Sequence, residues 1–118
     1  MKELTEQELH NLAMNIVGKE LEAEGFEFMG VNSKLRKNPQ FVCLKDKELH
    51  FIVVRNIPYP ENPSEYDKDL MATVKEHALK FEARTYYAGV GISNAANRDH
   101  PVLLNQEYMV HYEGLIEI

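Results

Sequence analysis

The sequence predicts one α/β (α+β) domain over residues 1–118, with a mixed five-stranded sheet and helices on both of its faces. Two stretches repeat apolar residues at helical spacing, and five shorter stretches are rich in β-branched and aromatic residues. They occur in the order α-β-β-β-α-β-β. A length of 118 residues and a hydrophobic fraction of 44% fit a single domain with an ordinary core.

The first helix is predicted to begin at Thr5 and to end before Gly25. Thr5 is followed three residues later by Glu8, which is the spacing of a capping box. Gly25 is suited to the left-handed conformation that follows many helices. Between these two signals the apolar residues recur at helical spacing: Leu9, Leu12, Ala13, Ile16, Val17 and Leu21.

Three strands are then predicted to form an antiparallel meander. The first covers residues 26–30, and the next two are Phe41–Leu44 and Leu49–Val54. A charged tetrapeptide, KDKE, separates the latter two, as in a hairpin with a solvated tip. The run LHFIVV lacks polar alternation, so we expect this strand to lie in the middle of the sheet and to end at Arg55-Asn56.

The second half of the chain is predicted to add one helix and two strands. Ser64 and Asp67 have the spacing of a second capping box, so we expect the helix to begin there. A strand over residues 85–92 follows this crossover and is expected to pair in parallel with a central strand. The last strand, residues 107–118, contains Gly114, which indicates a bend or bulge.

Composition and charge narrow the classes of function. The formal net charge of -6 disfavours a domain whose main role is to hold nucleic acid, because phosphate contacts require basic residues. The single cysteine, Cys43, excludes an internal disulfide and is expected to be a buried thiol. No apolar run is long enough to cross a bilayer, and the acidic N-terminus is unlike a signal peptide. We therefore expect a cytoplasmic protein without a membrane partner.

A basic cluster surrounds the predicted hairpin and has two interpretations. It is either a nucleic-acid patch or a solvated edge at which lysines prevent pairing with other sheets. Its members are Lys34, Arg36, Lys37, Lys45 and Lys47.

The element order and the hairpin resemble those of the restriction endonuclease-like, PD-(D/E)xK nuclease superfamily, whose small single-domain members share this order along almost their whole length. The resemblance implies a Pro-Asp pair where strand two begins and a Glu-x-Lys on strand three. The two acids would bind Mg²⁺, and the lysine would help to position or activate a water. Pro39-Gln40 stands at the first place here, and Val53-Val54-Arg55 stands at the second.

The motif is degenerate at both acidic positions. Neither Gln40 nor Val53 supplies a carboxylate, whereas Mg²⁺ is normally held by at least one or two. Arg55 keeps a positive charge but does not act as a base, and we expect it to pair with an acid. The sequence therefore favours a non-catalytic domain with no metal or cofactor. The alternatives are a divergent Mg²⁺-dependent nuclease that uses other acids and a nucleic-acid-binding pseudo-nuclease.

Two further features predict contacts with protein. Tyr59, Tyr66, Arg98 and His100 lie in predicted loops, and aromatic residues and arginine are common anchors of protein interfaces. The C-terminal strand, with its tyrosines and its apolar end LIEI, is expected to lie at an edge of the sheet. Such an edge is able to pair with its own copy in a two-fold homodimer.

Overall fold

The computed structural model describes residues 2–118, which form two helices and six strands. The helices are α1 (Glu6–Ala23) and α2 (Lys68–Leu79). The strands are β1 (Glu27–Val31), β2 (Phe41–Lys45), β3 (Glu48–Pro58), β4 (Arg84–Asn94), β5 (Tyr108–His111) and β6 (Ile116–Glu117). The predicted α+β class is confirmed. The predicted last strand is divided into β5 and β6, because Gly114 between them has a φ of 98°.

The strands form one mixed sheet in the order β1-β2-β3-β4-β5, with β6 also paired to β4. The first three strands are an antiparallel meander, and β3 and β4 are parallel from His50↔Arg84 to Pro58↔Ile92. Helix α2 is the crossover between these two parallel strands, as the sequence predicts. Both β5 and β6 run antiparallel to β4.

The hairpin between β2 and β3 has the predicted tip, but its second strand is longer than expected. Asp46 and Lys47 have φ values of 53° and 65°, as in a two-residue type I′ turn. Strand β3 continues past Arg55-Asn56 to Pro58. The predicted end was wrong because β4, a strand distant in sequence, pairs with β3 along that whole length.

Both signals that delimit α1 act as predicted. The Thr5 hydroxyl accepts from Glu8 N–H at 3.1 Å, and Glu8 Oε1 accepts from Thr5 N–H at 2.9 Å. These hydrogen bonds hold the pKa of Glu8 below its ordinary value. Gly25 adopts the left-handed conformation, with a φ of 89°.

The start of α2 differs from the prediction. Asp67 is its N-cap and accepts from Leu70 N–H at 3.0 Å, whereas Ser64 donates its hydroxyl to Glu113 Oε2 at 3.0 Å. The helix starts later because the chain first crosses the sheet, where Pro63 packs on Gly89 and Gly91 of β4. A Cβ at position 89 would overlap the Pro63 carbonyl oxygen, so the glycine permits this crossing.

The helices cover opposite faces of the sheet and bury separate sets of residues, as the sequence predicts. The face under α1 buries Ala13, Met14, Val17, Leu21, Phe41, Cys43, Ile52, Val54, Ala88, Val90, Ile92 and Val102. The face under α2 buries Phe51, Val53, Met71, Val74, Ala78, Ala83 and Tyr87. Neither α1 nor α2 has the length and apolarity that a membrane span needs.

Candidate functional site

The position of the degenerate nuclease motif is occupied by a buried amide side chain. Gln40 precedes β2, is 0% exposed, and extends its side chain along the edge of β3. Its Oε1 accepts from Val54 N–H at 2.8 Å and from Arg55 Nη1 at 3.3 Å. Its Nε2 donates to Lys37 O at 3.1 Å and to Asn38 Oδ1 at 3.3 Å. The amide of Gln40 is therefore fully engaged by protein groups.

Arg55 is surrounded by neutral oxygens. In addition to its contact with Gln40, it donates Nη2 to Asn38 Oδ1 at 2.7 Å and Nη1 to Val54 O at 2.9 Å. None of the ion pairs formed among residues 2–118 includes Arg55. The prediction that Arg55 pairs with an acid was wrong. The oxygens of Asn38, Gln40 and Val54 accept the hydrogen bonds of the guanidinium instead. Burial lowers the pKa of Arg55, an effect that Tyr87 opposes and Arg36 reinforces.

Helix α1 adds a buried histidine to this region. His10 is 2% exposed, and its Nε2 has no hydrogen-bond partner among residues 2–118. Burial, followed by the nearby charge of Arg55, lowers the pKa of His10, and Glu6 opposes this shift. His10 was not predicted from the sequence, although it lies three residues before Ala13 and seven before Val17 on the buried stripe of the helix.

Val53 does not take part in the same cluster. It is 0% exposed and packs against Met71, Val74 and Tyr87 under α2. The structure thus brings Gln40 and Arg55 together and places Val53 in the apolar core. Across the described part of the chain, no group of three or more His, Cys, Asp and Glu side chains has an arrangement that could hold a metal ion.

The basic cluster seen in the sequence is divided between the two ends of β2. Lys34, Arg36 and Lys37 lie in the β1–β2 connection, whereas Lys45 and Lys47 lie at the hairpin tip. The length of β2 separates the two groups by about 13 Å, at 3.3 Å per residue. The two groups therefore do not form one continuous patch.

Both groups also make local contacts. Arg36 pairs with Glu6 at 3.4 Å, and Lys45 Nζ lies 4.7 Å from the centre of the Phe26 ring. Arg36 and Lys37 line a groove of about 530 Å³, and His77 of α2 lies on its other side. Arg36 and Lys37 of the β1–β2 connection therefore line a groove against α2, next to Asn38 of the Gln40 and Arg55 cluster.

Three of the four residues predicted to contact protein meet at one cleft. Arg98 Cζ lies 4.6 Å from the centre of the Tyr59 ring, which is a cation–π contact. Tyr59, Arg98 and His100 line a cleft of about 410 Å³ at the carboxyl ends of β3 and β4. Tyr66 lies apart from them and packs on Tyr87 under α2, with ring centroids 5.2 Å apart.

A buried asparagine organises the loop that carries Arg98 and His100. Asn94 Nδ2 donates to Pro101 O at 2.9 Å, while its Oδ1 accepts from the backbone N–H of Ala96 at 2.9 Å. The loop is joined to the N-terminal segment by Leu4 N–H, which donates to Val102 O at 3.0 Å. These contacts fix the wall of the cleft, and the sequence signal for them was only the polar run SNAANRD.

One edge of the sheet is β1, and the other is formed by β5 and β6, which both pair with β4. The predicted C-terminal strand, divided between β5 and β6, therefore lies at an edge. All four residues of β5 are exposed, and Tyr108, Met109 and Val110 are 42%, 44% and 44% exposed. Large apolar side chains thus point to solvent on both faces of this strand.

One comparison with known proteins identifies a family. A family model described as a domain of unknown function (DUF8840) matches residues 7–118. The chain belongs to this family. No curated protein and no solved structure matches it. The Gln40–Arg55 cluster, the Tyr59–Arg98 cleft and the open edge of β5 are therefore features of a DUF8840 domain.

Proposed function

We propose that this DUF8840 domain is a nuclease-like domain that acts by binding and does not cleave nucleic acid. The observation that carries the proposal is the contact between Gln40 and Arg55. A neutral amide stands where the resemblance requires a metal-binding acid, and every hydrogen-bonding group of that amide is directed at the protein. A half-buried guanidinium lies beside it, and its charge opposes the approach of Mg²⁺.

The relationship to restriction endonuclease-like proteins is part of the same proposal. It is supported by the observed order of elements, α1-β1-β2-β3-α2-β4, which is the order on which the resemblance rests. It is also supported by the position of Gln40 next to Arg55, because the residues that replace the two halves of the motif are in contact.

The burial of Val53 explains how the second acid would be lost without damage to the fold. A glutamate at this position would place a carboxylate in the core beside Met71 and Val74, where it would lose its hydration. Valine removes that desolvation cost. We infer that the domain retains the sheet as a scaffold and functions through its surface, with a protein or a second copy of itself as the partner.

A metal and cleavage assay tests the loss of catalysis. The wild-type protein and Arg55→Gln are incubated with single- and double-stranded DNA and RNA in Mg²⁺ or Mn²⁺, and Mn²⁺ broadening of the Gln40 side-chain amide is measured by NMR. We expect no metal-dependent cleavage by either protein and no site-specific broadening. Cleavage by the wild type that Arg55→Gln loses while still folded would overturn the proposal.

The groove beside α2 supports a second candidate, a nucleic-acid-binding pseudo-nuclease. Arg36 and Lys37 line this groove opposite His77, so two cationic side chains and an imidazole share one concave surface. Binding of a fluorescent oligonucleotide at low salt tests it, and the affinity should fall steeply as salt rises. The matched variants are K34Q/R36Q/K37Q and K45Q/K47Q. Only the first should abolish binding, and no binding by the wild type at low salt would exclude this candidate.

A further inference from the structure

We propose that β5 pairs with β5 of a second copy of the chain, in an antiparallel two-fold contact centred on Met109. The inference deepens the proposed binding role, and rests on it, by naming the partner as this chain itself. It starts from a difference between the two edges of the sheet. Strand β1 has a register shift between Phe28 and Gly30, and such a bulge twists an edge away from pairing.

Strand β5 lacks the bulge, the lysine and the proline that protect many sheet edges. Its pairing with β4 is regular from Gly91↔His111 to Asn94↔Tyr108. The stretch from Glu107 to Glu113, EYMVHYE, contains no lysine, proline or glycine. Its exposed apolar side chains lie on both faces, so a neighbouring strand would cover some of them on each side.

The backbone of β5 has a defined outward side. Ala95 N–H donates to Glu107 O at 3.3 Å, so the backbone groups of Glu107 point toward β4. Hydrogen-bonding direction alternates along a strand, so those of Met109 also point toward β4. Tyr108 and Val110 consequently present their N–H and C=O groups to solvent. An antiparallel neighbour must hydrogen-bond to these two residues.

Three two-fold registers satisfy this requirement, with the axis at Tyr108, Met109 or Val110. An axis at Tyr108 would extend the pairing into the turn at Asn105, whose φ of 62° is not that of a strand. An axis at Val110 would place Glu107 opposite Glu113 of the second copy, and like charges directly opposite are unfavourable.

An axis at Met109 avoids both problems. It pairs Tyr108 with Val110 of the second copy and keeps the contact within extended residues. It also places Glu107 opposite His111 of the second copy, which is a favourable pair when the imidazole is protonated. His111 Nε2 already lies 3.0 Å from Glu113 Oε1, and the ring has a second nitrogen for the Glu107 carboxylate. Charge complementarity thus selects this register.

Disulfide trapping with Met109→Cys tests the contact. At this axis the two Met109 residues form a non-hydrogen-bonded pair, with Cα atoms about 4.5 Å apart, within the range of about 4.4–6.8 Å that a disulfide spans. The native cysteine, Cys43, is buried and does not compete. We expect Met109→Cys to yield mainly a disulfide-linked dimer under mild oxidation, measured by intact mass and non-reducing electrophoresis.

Val110→Cys is the matched control, because residue 110 is as exposed as residue 109. In the proposed register the two residues at position 110, one from each copy, lie diagonally across the strand pair. They are about 7–8 Å apart and should crosslink poorly. Adding Val110→Lys to Met109→Cys should slow crosslinking about tenfold, because lysine at a sheet edge opposes pairing. Circular dichroism verifies that each variant is folded.

Equal crosslinking at positions 109 and 110, preference for position 110, or no crosslinking would each overturn the proposed register or contact. These results are independent of the cleavage assay. A monomeric, inactive protein would remove β5 pairing and leave the binding role, whereas metal-dependent cleavage would remove the binding role whatever the cysteine variants do.

Discussion

Gln40 Oε1 accepts the backbone N–H of Val54 at 2.8 Å, so a side chain continues the β2–β3 ladder beyond the point at which β2 begins. The preceding pair is formed by the backbone, since Gln40 N–H donates to Ile52 O at 3.0 Å. One residue therefore bonds to β3 through both its main chain and its side chain. The same oxygen also accepts a hydrogen bond from Arg55 Nη1, and this bond connects the β2–β3 ladder to the candidate site.

Replacing Gln40 with methionine should strongly destabilise the fold. The volume is kept, but Val54 N–H loses its acceptor, and the Lys37 carbonyl loses its donor. Each unsatisfied buried group costs about 1–3 kcal/mol, so we expect the free energy of unfolding to fall by about 3 kcal/mol. Gln40→Glu keeps the acceptor oxygen and should lower the free energy of unfolding by less. Urea denaturation measures both, and equal losses would show that the Val54 bond is not the dominant contact.

His10 should make stability depend on pH near neutrality. Its pKa in the folded state is lowered from the ordinary value of 6.5, so the unfolded chain binds more protons below that pH. The contribution of neutral His10 to the free energy of unfolding is complete above pH 6.5. It is lost as the pH falls toward the folded-state pKa. The maximal slope is about 1.4 kcal/mol per pH unit.

The variant His10→Leu removes this titration. We expect its stability relative to the wild type to be more favourable at pH 5.5 than at pH 7.5, as measured by urea denaturation at each pH. Asn15→Leu, at an exposed position of α1, is the control, because it removes no titrating group and should show no such difference. A wild-type-like pH profile for His10→Leu would contradict the prediction.

Gly89→Ala should disturb the crossing of the proline-rich segment. The added Cβ would overlap the Pro63 carbonyl oxygen, a backbone atom that moves only with its segment. We expect a loss of about 3 kcal/mol, at the upper end for overpacking. Gly30→Ala is the matched control in a strand, because its Cβ would meet only Val42 Cβ, at 3.8 Å. Thermal melts should show a large fall in Tm for Gly89→Ala alone.

Cys43 should be inert in the folded protein. Its side chain is 0% exposed, and burial raises the pKa of the thiol to about 11. Because the thiolate is the reactive form, we expect a thiol reagent at pH 8 to modify Cys43 only as fast as the protein unfolds. Labelling rates in increasing urea measure this. Rapid labelling in the absence of urea would contradict the burial of β2.

Features specified within a few residues were read correctly from the sequence. The Thr5–Glu8 capping box, the left-handed Gly25 and the hairpin tip at Asp46-Lys47 each depend on local spacing and backbone preference. The order of the elements and the two helix-covered faces followed from hydrophobic periodicity, since that pattern states which side of an element is buried.

Contacts between distant parts of the chain were decided by the tertiary structure. Strand β3 extends to Pro58 because β4 pairs with it there, and α2 starts late because Pro63 first packs on Gly89. Tyr59 and Arg98 are 39 positions apart in the chain and meet only where β3 and β4 end side by side.

Arg55 shows the physical reason most clearly. By itself the sequence determined that a charge ends a run of buried strand residues, and an acid partner was the natural expectation. The tertiary structure supplied Asn38, Val54 and Gln40 oxygens instead. A neutral oxygen of this kind carries no charge, and its residue has no characteristic distance from Arg55 along the sequence. Its identity depends on how a turn and a strand edge are brought together, which local sequence preferences do not encode.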